Sequence, residues 1–359
     1  MNQDFSTIAQ RIESNPLGRL MYGHRELFHS NLLAWFFDTL PAIADEVFRP
    51  FSRPGHDSGR YVERERQHLD LVMHWPDRSP LIIENKVFSI PALDQLDEYE
   101  KVVSNWQTQP SLVLLSVSPP EFSTGIWTYL SYEELGQRIH EALPSSGSYE
   151  IETMQRYGAL AQDLHMLVSA IDIQSDDERV WLPNSFLSVV SSSQMRAALH
   201  KARAKRVSSL LQKYLPGLEQ PPGSGMTNAT PYVEALEHVH AAGMHMHLGW
   251  QLQGNQFRRA VIYHDETIQG RDAASRIERE TISREHPEFF SFPSALPQRC
   301  AGRKEFNHYA PNFVYRYVKT PDLTIGELIE AAQTVRAELE ELRTSGDVER
   351  PNYAVRKTT

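Results

Sequence analysis

The stretch Leu81-Ile82-Ile83-Glu84-Asn85-Lys86-Val87 puts two ionisable side chains inside a near-continuous apolar run, and no other feature restricts the fold as much. A short apolar run bounded by turn signals is a strand buried in a sheet. Charge is placed in such a strand only when something offsets its desolvation. Alternation along the strand sends Glu84 and Lys86 to one face, about 6 to 7 Å apart, and Asn85 to the other. Asp70 lies 14 residues before Glu84, between Leu69 and Leu71, in a run from Leu69 to Trp75 that alternates apolar with polar residues. Turn signals from Pro76 to Pro80 join the two runs into a hairpin, which brings the Asp70 carboxylate beside Glu84. Tyr61 to Arg66 is a third strand of the same meander.

The flanking segments supply helices. Phe5 to Phe37 has helical spacing through Leu27, Phe28, Leu32, Leu33, Trp35 and Phe36, with a break at Pro16 and Gly18. Arg49 to Arg60 is a loop by composition. Pro91 opens a helix over Ala92 to Trp106, and Leu112 to Val117 reads as a strand buried on both faces after a crossover. Ile126 to Leu130 is a further strand, and Ser131 with Glu134 forms a Ser-x-x-Glu start for the next helix. Glu152 to Ile171 and Asn184 to Tyr214 are helical, the second broken.

This order predicts an α/β fold with a domain over residues 1–172, a helical connection over 173–215, a Pro/Gly-rich linker over 216–228 and a C-terminal α/β domain over 229–359. In the last, Met244 to Gln253 and Phe257 to Tyr263 form a hairpin around Gly254-Asn255. Ala273 to His286 is a helix, Phe313 to Val318 a strand and Ile325 to Arg343 a final helix. A chain of 359 residues is long for one core and comfortable for two.

Cys300 is the lone cysteine, which excludes an intramolecular disulfide and an all-cysteine zinc site and fits a reducing compartment. The N-terminus has no basic-then-apolar leader, and no run of about 18 apolar residues occurs, so a cytoplasmic protein without a membrane partner is expected. The formal charge of −10 argues against a protein that coats nucleic acid non-specifically.

Two neighbouring carboxylates are costly unless cations intervene, and hard oxygen ligands select Mg2+, for which Mn2+ can substitute. Such an ion binds phosphate oxygens and acidifies a water, with Lys86 placed to orient that water; the expected reaction is phosphodiester hydrolysis. Gln95 and Tyr99, four apart on the following helix, share a face and could meet the phosphate or the water. Glu26 on the opening helix could add a third carboxylate, with His29 one turn later. Glu63 and Glu65 are alternatives for that third carboxylate. A surface ion pair for Glu26 and a satisfied buried histidine for His29 are equally compatible with the pattern.

Asp70, the triplet Glu84-Asn85-Lys86, and Gln95-Leu96-Asp97-Glu98-Tyr99 together resemble the PD-(D/E)XK nuclease superfamily, in its branch with a Gln-x-x-x-Tyr motif after the catalytic strand. The resemblance covers about residues 20 to 135. It implies a restriction-endonuclease-like core, a mixed central sheet flanked by helices, with metal held by Asp70, Glu84, the main-chain carbonyl of Asn85 and Glu26. By the same resemblance Lys86 is catalytic, and Gln95 and Tyr99 assist at the scissile phosphate. Leu69 stands where the family name has proline, a position that varies among members. A magnesium-dependent nuclease is thus expected, acting on DNA more than RNA, in DNA processing or in defence against foreign DNA. A nucleic-acid-binding or regulatory module of weak catalysis, active only in a larger complex, is the alternative.

Two further patterns stand outside that motif set. Arg196 to Lys213 carries Lys201, Arg203, Lys205 and Arg206 with no acidic residue, either a nucleic-acid-binding surface or a solvated helix face. His238, His240, His245 and His247 are candidate metal ligands, but no carboxylate or cysteine pattern completes a site, and scattered surface histidines are the default. The C-terminal domain is the expected seat of a homodimer or a partner-protein contact.

Overall fold

The computed structural model describes residues 2–21, 25–52, 59–87, 91, 93–120, 123–302, 306–346 and 348–349. They form two compact units: residues 1–172 with 184–202, and residues 173–183 with 203–359. The segment read as a helical connection is therefore divided between the units.

In the first unit, α1 (Asn2–Ser14), α2 (Pro16–Met21), α3 (Arg25–Thr39) and α4 (Pro41–Val47) precede the strands β1 (Tyr61–Arg66), β2 (Leu69–His74) and β3 (Leu81–Lys86). Then come α5 (Leu93–Val103), β4 (Ser111–Ser116), β5 (Thr128–Ser131), α6 (Tyr132–Ala142), α7 (Tyr149–Ser169) and α8 (Asn184–Leu187), while α9 (Ser193–Tyr214) begins in this unit and ends in the second. The sheet order is β1-β2-β3-β4-β5. The first three strands are an antiparallel meander, and β3, β4 and β5 run parallel. Helix α5 is thus the crossover that a parallel pair requires. It packs Leu96, Tyr99 and Val103 on Val72, Ile82, Leu112, Leu114 and Trp127. On the opposite face Asn85 meets Tyr132 of α6, and the His29 ring of α3 sits against Tyr132. Helices thus flank this mixed sheet on both faces, and β3 and β4 are buried accordingly, which is why they read as apolar runs. The α6 start is as the sequence predicts: the Ser131 hydroxyl accepts from the Glu134 N–H. Helix α4 begins at Pro41, with Leu40 before it, a start the sequence reading left out.

The second unit is an antiparallel sheet of eight strands: β6 (Gly223–Thr227), β7 (Thr230–Ala241), β8 (Met244–Gln253), β9 (Gln256–Tyr263), β10 (Ala301–Gly302), β11 (Asn307–Tyr309), β12 (Phe313–Lys319) and β13 (Val348–Glu349). Helix α10 (Ala273–Glu285) and a 3-10 turn at Pro287–Phe290 lie between β9 and β10, and α11 (Ile325–Ser345) follows β12. Leu328, Ala331, Val335 and Leu339 of α11 share one core with Trp250, Leu252, Phe257 and Val261 of the sheet. A full capping box at Thr324 and Glu327 starts α11, and Gly346 ends it in the left-handed region at φ 85°.

The structure corrects the linker. Residues 223–227 form β6, paired with β7 from Gly223↔Glu234 to Thr227↔Thr230. A Cβ on Gly225 would meet the Tyr232 hydroxyl at 2.6 Å, so this glycine marks a close approach within a strand rather than a flexible joint.

Candidate active site

The β2–β3 hairpin pairs Leu71 with Ile83 and Val72 with Ile82, which brings Asp70 level with Glu84. Asp70 Oδ2 accepts the main-chain N–H of Asn85 at 2.7 Å, so the carboxylate is tied to the strand that carries the triplet. Glu84 is buried, 1% exposed. Its Oε1 accepts from Lys86 Nζ at 2.7 Å and from Gln95 Nε2 at 3.3 Å. Gln95 Nε2 also donates to the Tyr99 hydroxyl at 2.6 Å, and that hydroxyl reaches Glu84. Asp70, Glu84, Lys86, Gln95 and Tyr99 are therefore brought together on one face of the sheet, under α5.

Glu84 Oε2 is buried and has no hydrogen-bond partner among the described residues. Burial, and then repulsion from Asp70, push the Glu84 carboxyl up to about 7; Lys86 and Tyr99 oppose this only in part. Burial, and then the neighbouring Glu84, also raise Tyr99 above the usual phenol range. The site is short of positive charge and carries an orphaned carboxylate oxygen among hard oxygen donors, which fits a cation of the Mg2+ or Mn2+ type. Such ions are held by one or two carboxylates and complete their shell with water and substrate.

The third carboxylate has a different standing. Glu26 falls in α3, but its side chain lies outside the described residues. Glu63, on the edge strand, is spent on Arg66 and on His74 Nε2 at 2.8 Å. Glu65 is exposed and has φ 54°. Among the described residues no group of three or more His, Cys, Asp or Glu side chains is placed to hold a metal.

Behind β3 is a polar chain that sequence reasoning missed. The Tyr132 hydroxyl donates to Asn85 Oδ1, Tyr157 is hydrogen-bonded to Tyr132, and the Tyr157 hydroxyl meets His29 Nδ1 at 3.1 Å. His29 Nε2 faces Met21 Sδ at 3.2 Å. Burial drives His29 down to about 3, so it is neutral, and it sits on the face opposite Glu84. His29 is thus a core residue that helps anchor Asn85. Only the apolar spacing of α6 and α7 hinted at Tyr132 and Tyr157. Ser116 was also missed: it pairs in register with Lys86, and its buried Oγ has no partner among the described residues.

The basic helix is corrected in part. Arg203 is 2% exposed, and its guanidinium donates to the carbonyls of Val180 at 3.1 Å and Arg179 at 2.8 Å and pairs with Glu178 at 3.1 Å. It closes off main-chain carbonyls inside the second unit and is unavailable to nucleic acid. Lys201 and Lys205 are exposed and Arg206 is half-buried. The histidines are not scattered. His238 lies opposite His247 and His240 opposite His245 across β7 and β8, and His264, beyond β9, joins them with its ring 4.6 Å from that of His247.

No protein-family model, curated protein or solved structure matches this chain.

Proposed function

We propose that the chain is a metal-dependent nuclease of the PD-(D/E)XK type, with a restriction-endonuclease-like first unit and a Gln-x-x-x-Tyr motif on α5. The observation that carries this reading is the buried carboxylate oxygen of Glu84, left without a hydrogen-bond partner beside Asp70 and one residue from Asn85. A fold bears such a group at a cost of several kcal/mol, on the order of the desolvation of one ion, and function is the ordinary reason to keep it.

Asp70, Glu84 and the main-chain carbonyl of Asn85 would hold Mg2+, or Mn2+ in its place, with Glu26 as the fourth candidate. The bound cation supplies positive charge for the scissile phosphate and acidifies a water. Lys86, fixed by its contact with Glu84, orients the attacking water and offsets charge on phosphorus. Gln95 and Tyr99, hydrogen-bonded to each other and to Glu84, hold that carboxylate in place and would assist at the scissile phosphate once the cation takes over the Glu84 oxygens. The Asn85–Tyr132–Tyr157–His29 chain holds the strand from behind. DNA is the favoured substrate, in processing or in defence against foreign DNA.

Labelled single- and double-stranded DNA and RNA, incubated with the purified protein and Mg2+, Mn2+ or EDTA, test this directly. Metal-dependent cleavage that disappears in folded Lys86→Ala is the expected result. An equal rate in the variant and the wild type would sink the assignment.

A further inference from the structure

The second unit has a cavity of about 490 Å3 between α10 and β12. Arg276, Glu280 and Arg284 sit four residues apart on one face of α10 and line one wall. Arg316 of β12 and Phe306 line the other. Three guanidinium groups therefore face a single carboxylate, a local excess of positive charge in a chain whose net charge is −10.

Glu280 does not cancel the arginines; it aims them. Its carboxylate takes Arg284 Nη2 at 2.9 Å, Arg276 Nε at 3.7 Å and His308 Nε2 at 2.8 Å. A guanidinium has five N–H donors, so both arginines keep most of theirs for a ligand, and their side chains are 61% and 63% exposed. Arg316 is held differently: its guanidinium lies 5.8 Å from the Phe306 ring and 5.9 Å from that of Phe292. Its Nε is buried with no partner among the described residues. Planar forks of this kind match phosphate oxygens.

The volume adds a second constraint. It lies within the range of about 300 to 1,000 Å3 typical of sites for small organic ligands, far more than a bare phosphate fills. Phe306 adds an aromatic side chain to the lining, against which the apolar part of a nucleoside can pack. The geometry points to a binding site for a nucleoside monophosphate, either a free nucleotide or the phosphorylated end of a nucleic-acid chain. This assignment is independent of the chemistry proposed for Glu84.

The test is calorimetric titration of the full chain in EDTA with AMP, GMP, CMP and UMP, with adenosine, with sodium phosphate, and with an oligonucleotide bearing a 5′-phosphate or a 5′-hydroxyl. At least one phosphate-bearing nucleotide or chain end binds about tenfold tighter than both adenosine and inorganic phosphate. Which of the two sources binds tells the free nucleotide from the chain end. Arg276→Gln and Arg284→Gln, at exposed side chains whose loss leaves the core untouched, each weaken that binding about tenfold, and the double variant more, with circular dichroism unchanged. No saturable binding below about 1 mM, or binding that both substitutions leave intact, overturns the proposal.

Discussion

Replacing Glu84 by glutamine removes a charge that folding buries, and the effect on stability has a sign that an ordinary surface carboxylate would not give. The folded chain holds this carboxyl at about 7 against an ordinary value of 4.5. Between those values the folded state keeps a proton that the unfolded chain releases, so the contribution to stability falls as pH rises through the window. At 1.36 kcal/mol per unit the full loss is about 3 kcal/mol above pH 8, and burial leaves little room for solvent screening. Against this, the new amide nitrogen in the place of Oε2 lacks a described partner, and Lys86 loses an ionic one, at about 1 kcal/mol or more for each. Those costs do not follow the titration. Relative to wild type, Glu84→Gln therefore gains about 2 kcal/mol between pH 5.5 and pH 8. Urea unfolding of both proteins in EDTA at the two pH values measures it. A difference between the proteins that stays constant with pH, or shifts against the variant at pH 8, refutes the argument. Saturating Mn2+ at pH 8 should then stabilise wild type and leave the variant unmoved.

Three further outcomes are expected. Tyr99→Phe keeps the fold and lowers metal-dependent cleavage by about tenfold or more, because it deletes the hydroxyl that donates to Glu84 and accepts from Gln95; single-turnover rates check this. Arg203→Met destabilises the protein by about 3 kcal/mol, since it strips the partners from two carbonyls and Glu178, and it leaves the salt dependence of DNA binding unchanged. His29 has a folded value of about 3 against 6.5, so the unfolded chain binds the extra proton and stability falls as pH drops below 6.5. The slope is about 1.4 kcal/mol per pH unit. Replacing His29 by phenylalanine flattens that slope in denaturant titrations from pH 7 to pH 4.

What could be read ahead of the structure follows from how local each signal is. The β2–β3 hairpin and α5 were legible because alternation, turn residues and helical spacing all agreed, and register alone then carried Asp70 to Glu84. Strand β7 was not legible. Its inward face carries Glu237, which breaks the apolar alternation, and only the fold reveals that Arg343 of α11 pairs with it at 2.8 Å. Strand β6 was hidden by two glycines, Gly225 against Tyr232 and Gly223 against Glu234, and composition reads such residues as a linker. Arg203 looked like part of a basic face because exposure along a helix depends on what packs there, and its partners at 178–180 are some 25 residues away in sequence. His264 was missed for a similar reason: strand pairing, not spacing, brings it to His247.

The candidate site was legible where the second unit's architecture was not, because its signals are local. Buried ion pairs such as Glu237 with Arg343 and Arg259 with Glu338 carry an opposite charge for each member within the chain. Glu84 is different. Its nearest cation, Lys86, engages one carboxylate oxygen, while Asp70 adds a second negative charge and Oε2 stays open. Local pattern and local chemistry contradict each other at this strand, and no described residue takes up Oε2. A buried carboxylate that faces a second carboxylate and keeps an open oxygen is the kind of local inconsistency on which the proposal of an external cation rests.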